Sequence, residues 1–197
     1  MEASKFTCGN PFLERFREKT FWVLVLLLTL GLFPRLGILT MRGEETRRAL
    51  VAFEMRYFDD YITPREQGLL FQSNPPLSSW MMLGSSILFG NYDPYSVRFP
   101  SAVAVLLTSV LIYVYARNYF SQAGAFASAV AFATNGEIMI ISQKAEPEAV
   151  YILFLSASLM LWHWGYERKW PSVLTWISAG VFVGLASLCK GGLQPLA

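Results

Sequence analysis

The sequence has little charge and few side chains that bind metals. Only 15% of its 197 residues are Asp, Glu, Lys or Arg, whereas soluble domains carry about 25%. Its one histidine and its two cysteines, Cys8 and Cys189, match no metal-ligand spacing and no disulfide framework. The net charge of +2 is small and dispersed, so nucleic acid is not an expected partner. These absences argue against a soluble protein, a nucleic-acid-binding protein and an imidazole-containing metal centre.

Hydrophobic side chains dominate instead, at 54% of the chain. Apolar runs of about 20 residues are long enough to cross a bilayer as helices. The sequence therefore predicts an all-α integral membrane protein with about five transmembrane helices. The predicted spans cover about 20–40, 100–115, 123–141, 149–164 and 172–188, with a polar external loop at 41–99.

The external loop is predicted to contain two amphipathic juxtamembrane helices. The first covers about 43–58 and begins with the acidic pair Glu44-Glu45. The second covers 75–90, and its 16 residues would span about 24 Å, less than the hydrocarbon core of about 30 Å. Serines recur along one side of this segment, which favours a helix in the membrane interface over a sixth span.

The distribution of basic residues predicts the orientation, with a cytoplasmic N-terminus. With five spans, Arg117, Arg168 and Lys169 share the cytoplasmic side with the basic N-terminal tail, whereas a sixth span would export them. The same topology brings several charged residues together on the external side, namely Glu44, Lys144, Glu146, Glu148 and Lys190. Charges that converge on one surface of a membrane bundle are expected to face water, a partner or a ligand.

An ordered series of short motifs runs through the chain. It consists of Gly43-Glu44-Glu45-Thr46-Arg47-Arg48-Ala49, Pro75-Pro76-Leu77, Val97-Arg98-Phe99-Pro100, Glu146-Pro147 and Lys190-Gly191. In this order and spacing the motifs resemble those of the bacterial ArnT-like and protein O-mannosyltransferase-like glycosyltransferases, from about residue 20 to the C-terminus. The resemblance implies a GT-C fold and transfer of a sugar from a polyprenyl-phosphate-linked donor to a lipid, glycan or protein acceptor. It also implies a bacterial inner-membrane enzyme whose active site faces the periplasm.

The resemblance further implies roles for individual residues. Glu44 stands at the position of the family's catalytic aspartate, Glu45 at that of its partner acid, and Arg47 at the following basic position. Glu146 matches a second carboxylate, and Lys190 matches a lysine near the lipid phosphate.

Two positions depart from the family's pattern. Glu44 is one methylene longer than the usual aspartate, and Asn74 stands where a lysine commonly precedes the Pro-Pro motif. The second change removes a phosphate-binding cation, so Lys144, Lys190 or an arginine must replace it if the donor is the same.

The proposed chemistry requires these residue types. An acceptor hydroxyl needs a base within hydrogen-bond reach, which predicts Glu44 as the base or the acceptor-orienting group. A leaving phosphate needs positive charge more than it needs an acid. The residues predicted to bind substrate are Glu45, Arg47, Lys144 and Lys190. Glu146 would orient the sugar or, together with Glu44, bind a divalent metal ion; no other cofactor is expected. Glu45 points about 100° away from Glu44 on the helix and is expected to matter less for turnover.

Three other residues are interpreted from their surroundings. Arg98 is expected to anchor the second juxtamembrane helix to the next span rather than to take part in chemistry. His163 lies between two tryptophans and is expected to be an interface anchor. Glu137, within the third predicted span, either lines the substrate cavity or reaches water or an arginine.

The family's members are much longer, with about a dozen spans, so residues 1–197 are expected to be the N-terminal part of such an enzyme. The alternative is a non-catalytic membrane subunit or truncated homologue that binds polyprenyl-phosphate lipid or a partner protein. A transporter is less favoured because the spans contain no inverted repeat.

Overall fold

The computed structural model describes residues 16, 18–71 and 75–190, and most of these residues are helical. The helices are α1 (Lys19–Leu32), α2 (Glu44–Tyr57), α3 (Leu77–Phe89), α4 (Pro94–Ala116), α5 (Gln122–Ala133), α6 (Gly136–Ser142), α7 (Glu148–Glu167) and α8 (Ser172–Lys190). Two short antiparallel strands, β1 (Arg65–Glu66) and β2 (Leu69–Leu70), form a hairpin between α2 and α3.

Helix α4 is the centre of the bundle, because it contacts α1, α3, α5, α6 and α7. The main core forms where leucines of α1, among them Leu24 and Leu28, meet α4 and the alanine-rich α5. Ala125 and Ala129 of α5 are fully buried. Small side chains allow helix backbones to approach closely inside a membrane protein, where packing rather than water exclusion holds helices together.

The first turn of α4 shows why this helix begins at Pro94, six residues earlier than the predicted span at 100–115. The carboxylate of Asp93 accepts from the Ser96 N–H at 2.8 Å, and the Ser96 hydroxyl accepts from the Asp93 N–H at 3.1 Å, which completes a capping box. Pro100, which lies inside the helix, has no N–H to offer the carbonyl four residues earlier. That carbonyl, on Ser96, accepts instead from the Ser85 hydroxyl of α3 at 2.6 Å.

Helix α3 confirms the predicted helix at 75–90, but its serine stripe faces the protein. The serines at positions 78, 79, 85 and 86 are all buried, whereas Ile87 and Leu88 are exposed. The stripe was predicted as the polar face of an interfacial helix. It is buried because the small hydroxyls let α3 pack closely on α4 and find carbonyl acceptors there and within α3 itself.

Within the described residues, α4, α7 and α8 are long and apolar enough to cross a membrane. Helices α5 and α6 together would make a fourth span, but they are bent by 64° at a break. The break occurs at Asn135, whose side-chain oxygen accepts from the Glu137 N–H at 3.0 Å and so starts a new helix. In place of the predicted span at 20–40, α1 has only 14 residues and is followed by turns. The exact span boundaries therefore stay a prediction.

The bundle has two polar ends. At one end, which we call the Tyr113 end, the Tyr113 hydroxyl donates to Glu18, and Arg117 pairs with the same carboxylate at 2.7 Å. At the opposite end, which we call the Arg98 end, the end of α1 meets the starts of α2, α4 and α7 and the ends of α6 and α8. The residues of the predicted site lie at the Arg98 end.

Helices α7 and α8 form a hairpin whose closest approach depends on Gly165. A Cβ added at Gly165 would lie 2.7 Å from Oγ1 and 2.9 Å from Cγ2 of Thr175. Gly165→Ala should therefore lower stability, since overpacking a tight contact typically costs about 1–3 kcal/mol. Thermal unfolding in detergent measures the effect.

Gly180→Ala is the matched control on α8, because an added Cβ there meets no atom of the described residues within 4 Å. It should leave stability unchanged or raise it by up to about 1 kcal/mol, as expected for glycine in a helix. In a Thr175→Ala background the two nearest atoms are gone, so adding Gly165→Ala should lower the unfolding temperature less than it does in the wild type. An unfolding temperature for Gly165→Ala at or above that of the wild type would contradict this account of the hairpin.

Candidate active site

The two adjacent acids at the start of α2 have opposite environments. The side chain of Glu44 is 58% exposed, whereas that of Glu45 is only 6% exposed. Successive helical residues point about 100° apart, so one carboxylate faces water while the next faces the bundle. Both acids occupy the first turn, where the helix dipole favours negative charge.

Glu45 is held by a buried arginine on α4. The Nε and Nη2 groups of Arg98 donate to the two carboxylate oxygens of Glu45 at 2.5 and 2.9 Å. The Nη1 group donates to the carbonyls of Leu36 and Leu39 at 2.6 and 2.8 Å. The backbone N–H of Ala145 also donates to Glu45, at 2.9 Å. We call these five residues the Arg98 junction.

The Arg98 junction shows that Arg98 is an anchor, as predicted, but the juxtamembrane helix that it holds is α2 and not α3. It connects the turns after α1, the start of α2, the first turns of α4 and the loop between α6 and α7. Only the planar guanidinium fork can serve a carboxylate and two carbonyls at once. A buried ion pair of this kind is weak evidence of net stability, but removing one partner leaves an uncompensated buried charge.

Arg47 lies between two carboxylates on the exposed side of α2. Its Nη1 is 3.2 Å from Glu44, and its Nε donates to both oxygens of Glu66 at 2.8 Å. Its guanidinium carbon lies 4.9 Å from the ring centroid of Phe71, which favours a cation–π contact. The hydrogen bond with Glu66 raises the pKa of Arg47 above its ordinary value. In this arrangement Arg47 neutralises two acids rather than presenting a free cation.

The β-hairpin that carries Glu66 is itself held by α2. The buried carboxylate of Glu54 accepts from the N–H groups of Gln67 and Gly68 at 2.8 and 3.1 Å. Both residues have positive φ, as the turn of a two-residue hairpin requires. Helix α2 thus uses one buried acid, Glu45, to hold the bundle and another, Glu54, to hold the hairpin.

The other predicted site residues lie in the loop between α6 and α7 and beside it. Lys144 Nζ is 3.6 Å from Glu146 Oε1, and Lys190 Nζ at the end of α8 is 2.9 Å from Glu148 Oε1. Ala145, which bonds to Glu45, lies between Lys144 and Glu146. The structure therefore brings the second predicted carboxylate and both lysines to the same end as Glu44.

Two adjoining cavities lie at the Arg98 end, with volumes of about 510 and 580 Å³. They share Leu39, Met139 and Gln143 in their linings. The rest of the combined lining is Leu30, Gly31, Arg35, Ile38, Thr40, Arg42, Glu45, Arg98, Ile140 and Lys144. The lining combines apolar side chains with several cations, so it suits an amphipathic ligand with a negatively charged group.

Sequence reasoning did not identify Arg35, Arg42 or Gln143 as lining residues. Arg35 and Arg42 lie in the segment between α1 and α2, so their position after an apolar run was the available signal. Glu137 is exposed in the first turn of α6. His163 bonds to Tyr115 at 2.8 Å at the Tyr113 end, away from the candidate site.

The metal ion predicted between Glu44 and Glu146 stays a prediction. Each carboxylate already faces a cation, Arg47 and Lys144 respectively. In the part of the chain that the structure describes, no three His, Cys, Asp or Glu side chains come together. We derive no chemical step through a metal ion. Asn74 and Cys8 lie outside the described residues, so the predictions about them stay predictions.

A family profile described as dolichyl-phosphate-mannose-protein mannosyltransferase matches residues 73–196. The chain belongs to this family.

Several similar proteins are named undecaprenyl phosphate-alpha-4-amino-4-deoxy-L-arabinose arabinosyl transferases. The protein from Proteus mirabilis (strain HI4320), transferase 2, is 26% identical over 165 residues, which cover 82% of this chain and 30% of that protein. The protein from Pseudomonas aeruginosa (strain LESB58) is 30% identical over 176 residues, which cover 86% and 32%.

The fold of this mannosyltransferase-family chain matches that of a solved protein. The crystal structure of ArnT from Cupriavidus metallidurans bound to undecaprenyl phosphate gives a TM-score of 0.81 at 21% identity, covering 91% of this chain and 34% of that one. The apo structure of the same protein gives 0.79. The predicted all-α, GT-C-like membrane fold is confirmed. The chain spans about a third of the length of these relatives.

Arg98→Lys should destabilise the protein although the charge is kept. Lysine cannot reproduce the fork, and each buried acceptor left without a donor costs about 1–3 kcal/mol. We expect a lower yield of folded protein and a lower unfolding temperature in detergent. Arg56→Lys, at an exposed position of α2, is the matched control and should behave as the wild type. Equal yields and unfolding temperatures for the two variants would rule out the junction as a structural anchor.

Proposed function

We propose that this chain forms the N-terminal part of a membrane glycosyltransferase that moves a sugar from a polyprenyl-phosphate-linked donor to an acceptor hydroxyl. Family membership supports the class of reaction, and the names of the relatives support undecaprenyl phosphate as the lipid carrier. The observation that carries the proposal is the position of the exposed carboxylate of Glu44. The next residue, Glu45, lines a cavity whose other lining residues are apolar side chains and cations.

In the proposed reaction Glu44 takes the proton of the acceptor hydroxyl. The hydroxyl oxygen bonds to the anomeric carbon of the sugar, and the bond from that carbon to the phosphate oxygen breaks. The polyprenyl phosphate leaves with the electron pair. General-base assistance of this kind contributes about 10²–10⁴-fold, and fixed cations near the phosphate stabilise the charge that develops on it.

Lys144 and Arg42 are the cations best placed to hold the phosphate, because both line the cavity. The pair of Lys144 with Glu146, at 3.6 Å, is looser than the pairs that engage Arg47 and Lys190. Lys144 can therefore turn to a phosphate at lower cost, which would free Glu146 to bind sugar hydroxyls. Arg47 would act indirectly, by holding the carboxylate of Glu44 in place.

The proposal places the Arg98 end at the external face of the membrane. Support comes from the ion pair of Arg117 and Glu18 at the opposite end. Glu18 follows the basic N-terminal residues in the sequence, and basic residues favour the cytoplasmic side. The acceptor would then be a lipid, glycan or protein exposed on that face.

Cysteine labelling of intact cells tests this orientation. In a background with Cys8→Ser and Cys189→Ala, the single variants Glu44→Cys, Asn91→Cys and Glu146→Cys should react with a membrane-impermeant maleimide. Asn118→Cys, near Arg117 and exposed at the other end, should react only after the membrane is permeabilised. Labelling of position 118 in intact cells, with protection of position 44, would reverse the proposed topology.

Glu44→Gln tests the catalytic assignment. Glutamine keeps the shape and one acceptor oxygen but cannot take the proton, so turnover should fall by about 10²–10⁴-fold while donor affinity changes little. The measurement is sugar transfer from a polyprenyl-phosphate donor, in parallel with donor binding, in the protein that contains this chain.

The control for this test is Glu66→Gln, because Glu66 is the other carboxylate paired with Arg47. It should keep most of the turnover. Equal losses for the two variants would mean that Glu44 matters only as a partner of Arg47. Donor binding without any sugar transfer by the wild type would instead favour the alternative of a non-catalytic lipid-binding subunit.

A further inference from the structure

The Arg98 junction links the two segments that carry the candidate catalytic groups. Glu45 directly follows Glu44 in the first turn of α2, and Ala145 lies between Lys144 and Glu146. The bond from the Ala145 N–H to Glu45 at 2.9 Å is therefore a direct connection between α2 and the α6–α7 loop, across 100 residues of sequence.

The carboxylate of Glu45 has no freedom to turn between these partners. One oxygen accepts from both Arg98 Nε and the Ala145 N–H, and the other accepts from Arg98 Nη2. Arg98 in turn is fixed by the carbonyls of Leu36 and Leu39. A side chain that is 6% exposed and bound at both oxygens holds the first turn of α2 at a set rotation and height.

Stability alone does not account for a charged pair at this place. Well-packed apolar residues stabilise a buried contact as well as an ion pair does or better, and α2 already packs on the bundle through Ala49 and Ala52. What a bidentate ion pair adds is direction, since its hydrogen bonds restrict angles that apolar contacts leave free. Direction matters most where a reacting group must be placed accurately.

We infer that Glu45 and Arg98 are positioning residues, which hold the carboxylate of Glu44 in register with Lys144 and Glu146. This inference rests on the proposed function for its catalytic consequence, while the connection itself can be measured without it. It assigns Glu45 a role other than contact with substrate. Glu44 faces the reacting groups, and Glu45 fixes the position of the helix turn that carries Glu44.

Glu45→Asp is the decisive variant, because it keeps the charge but withdraws the carboxylate by one methylene. It cannot then reach both Arg98 and Ala145 at their present distances. In protein reconstituted in lipid nanodiscs, hydrogen exchange of the Ala145 amide should become at least about tenfold faster, as expected when a protecting bond is lost. A displacement of about 1 Å can cost about 10²-fold in rate, so kcat should fall at least tenfold with little change in donor KM.

Glu54→Asp is the matched control. Glu54 is on the same helix, is equally buried and also binds backbone N–H groups, but those belong to the hairpin. This variant should speed exchange at Gln67 and Gly68, leave exchange at Ala145 unchanged and keep kcat near that of the wild type. Unfolding temperatures of the two variants, measured alongside, separate a loss of position from a general loss of stability.

The outcomes decide between positioning and simple support. Unchanged exchange at Ala145 in Glu45→Asp would overturn the connection, and equal kcat for the Glu45 and Glu54 variants would overturn the positioning role. If wild-type protein transfers no sugar from any polyprenyl-phosphate donor, the proposed function fails. The exchange comparison would then still confirm or overturn the connection between α2 and the α6–α7 loop.

Discussion

The bidentate bond between Arg98 and Glu45 is the interaction on which the Arg98 end depends. Four segments that are distant in sequence meet there through hydrogen bonds to these two side chains. The arginine is 3% exposed, so its charge is tolerated only because every acceptor around it is in place. The geometry of the candidate site follows from that requirement.

Much of the architecture could be predicted from residue patterns. The acidic start of α2, the Pro-Pro start of α3 and the family resemblance all came from local signals, and the structure and the comparisons confirm them. Local signals were also sufficient to predict that Glu44, Glu146 and Lys190 lie at one end of the bundle, because helix length and charge distribution constrain on which side each loop lies.

The remaining features depend on contacts between distant segments. Nothing near Glu45 in the sequence indicates that its partner is 53 residues away on α4. The serine stripe of α3 has the same pattern whether it faces water or another helix. The predicted span began at about residue 100, yet the helix begins at the capping box of Asp93, and the hydroxyl of Ser85 compensates for the hydrogen bond that Pro100 cannot make. Tertiary hydrogen bonds overrode the local preference in each case.

The break at Asn135 has a consequence for the membrane around this protein. Where α5 ends and α6 begins at 64° to it, the regular series of helical hydrogen bonds is interrupted, and backbone groups at the break need other partners. Hydrocarbon cannot supply replacements, so such groups persist in a bilayer only beside protein or water. Residues 134–136 are exposed at this corner, and Met139 and Ile140 just beyond it line the cavities. At membrane depth, the corner would therefore need water beside it, next to the two cavities.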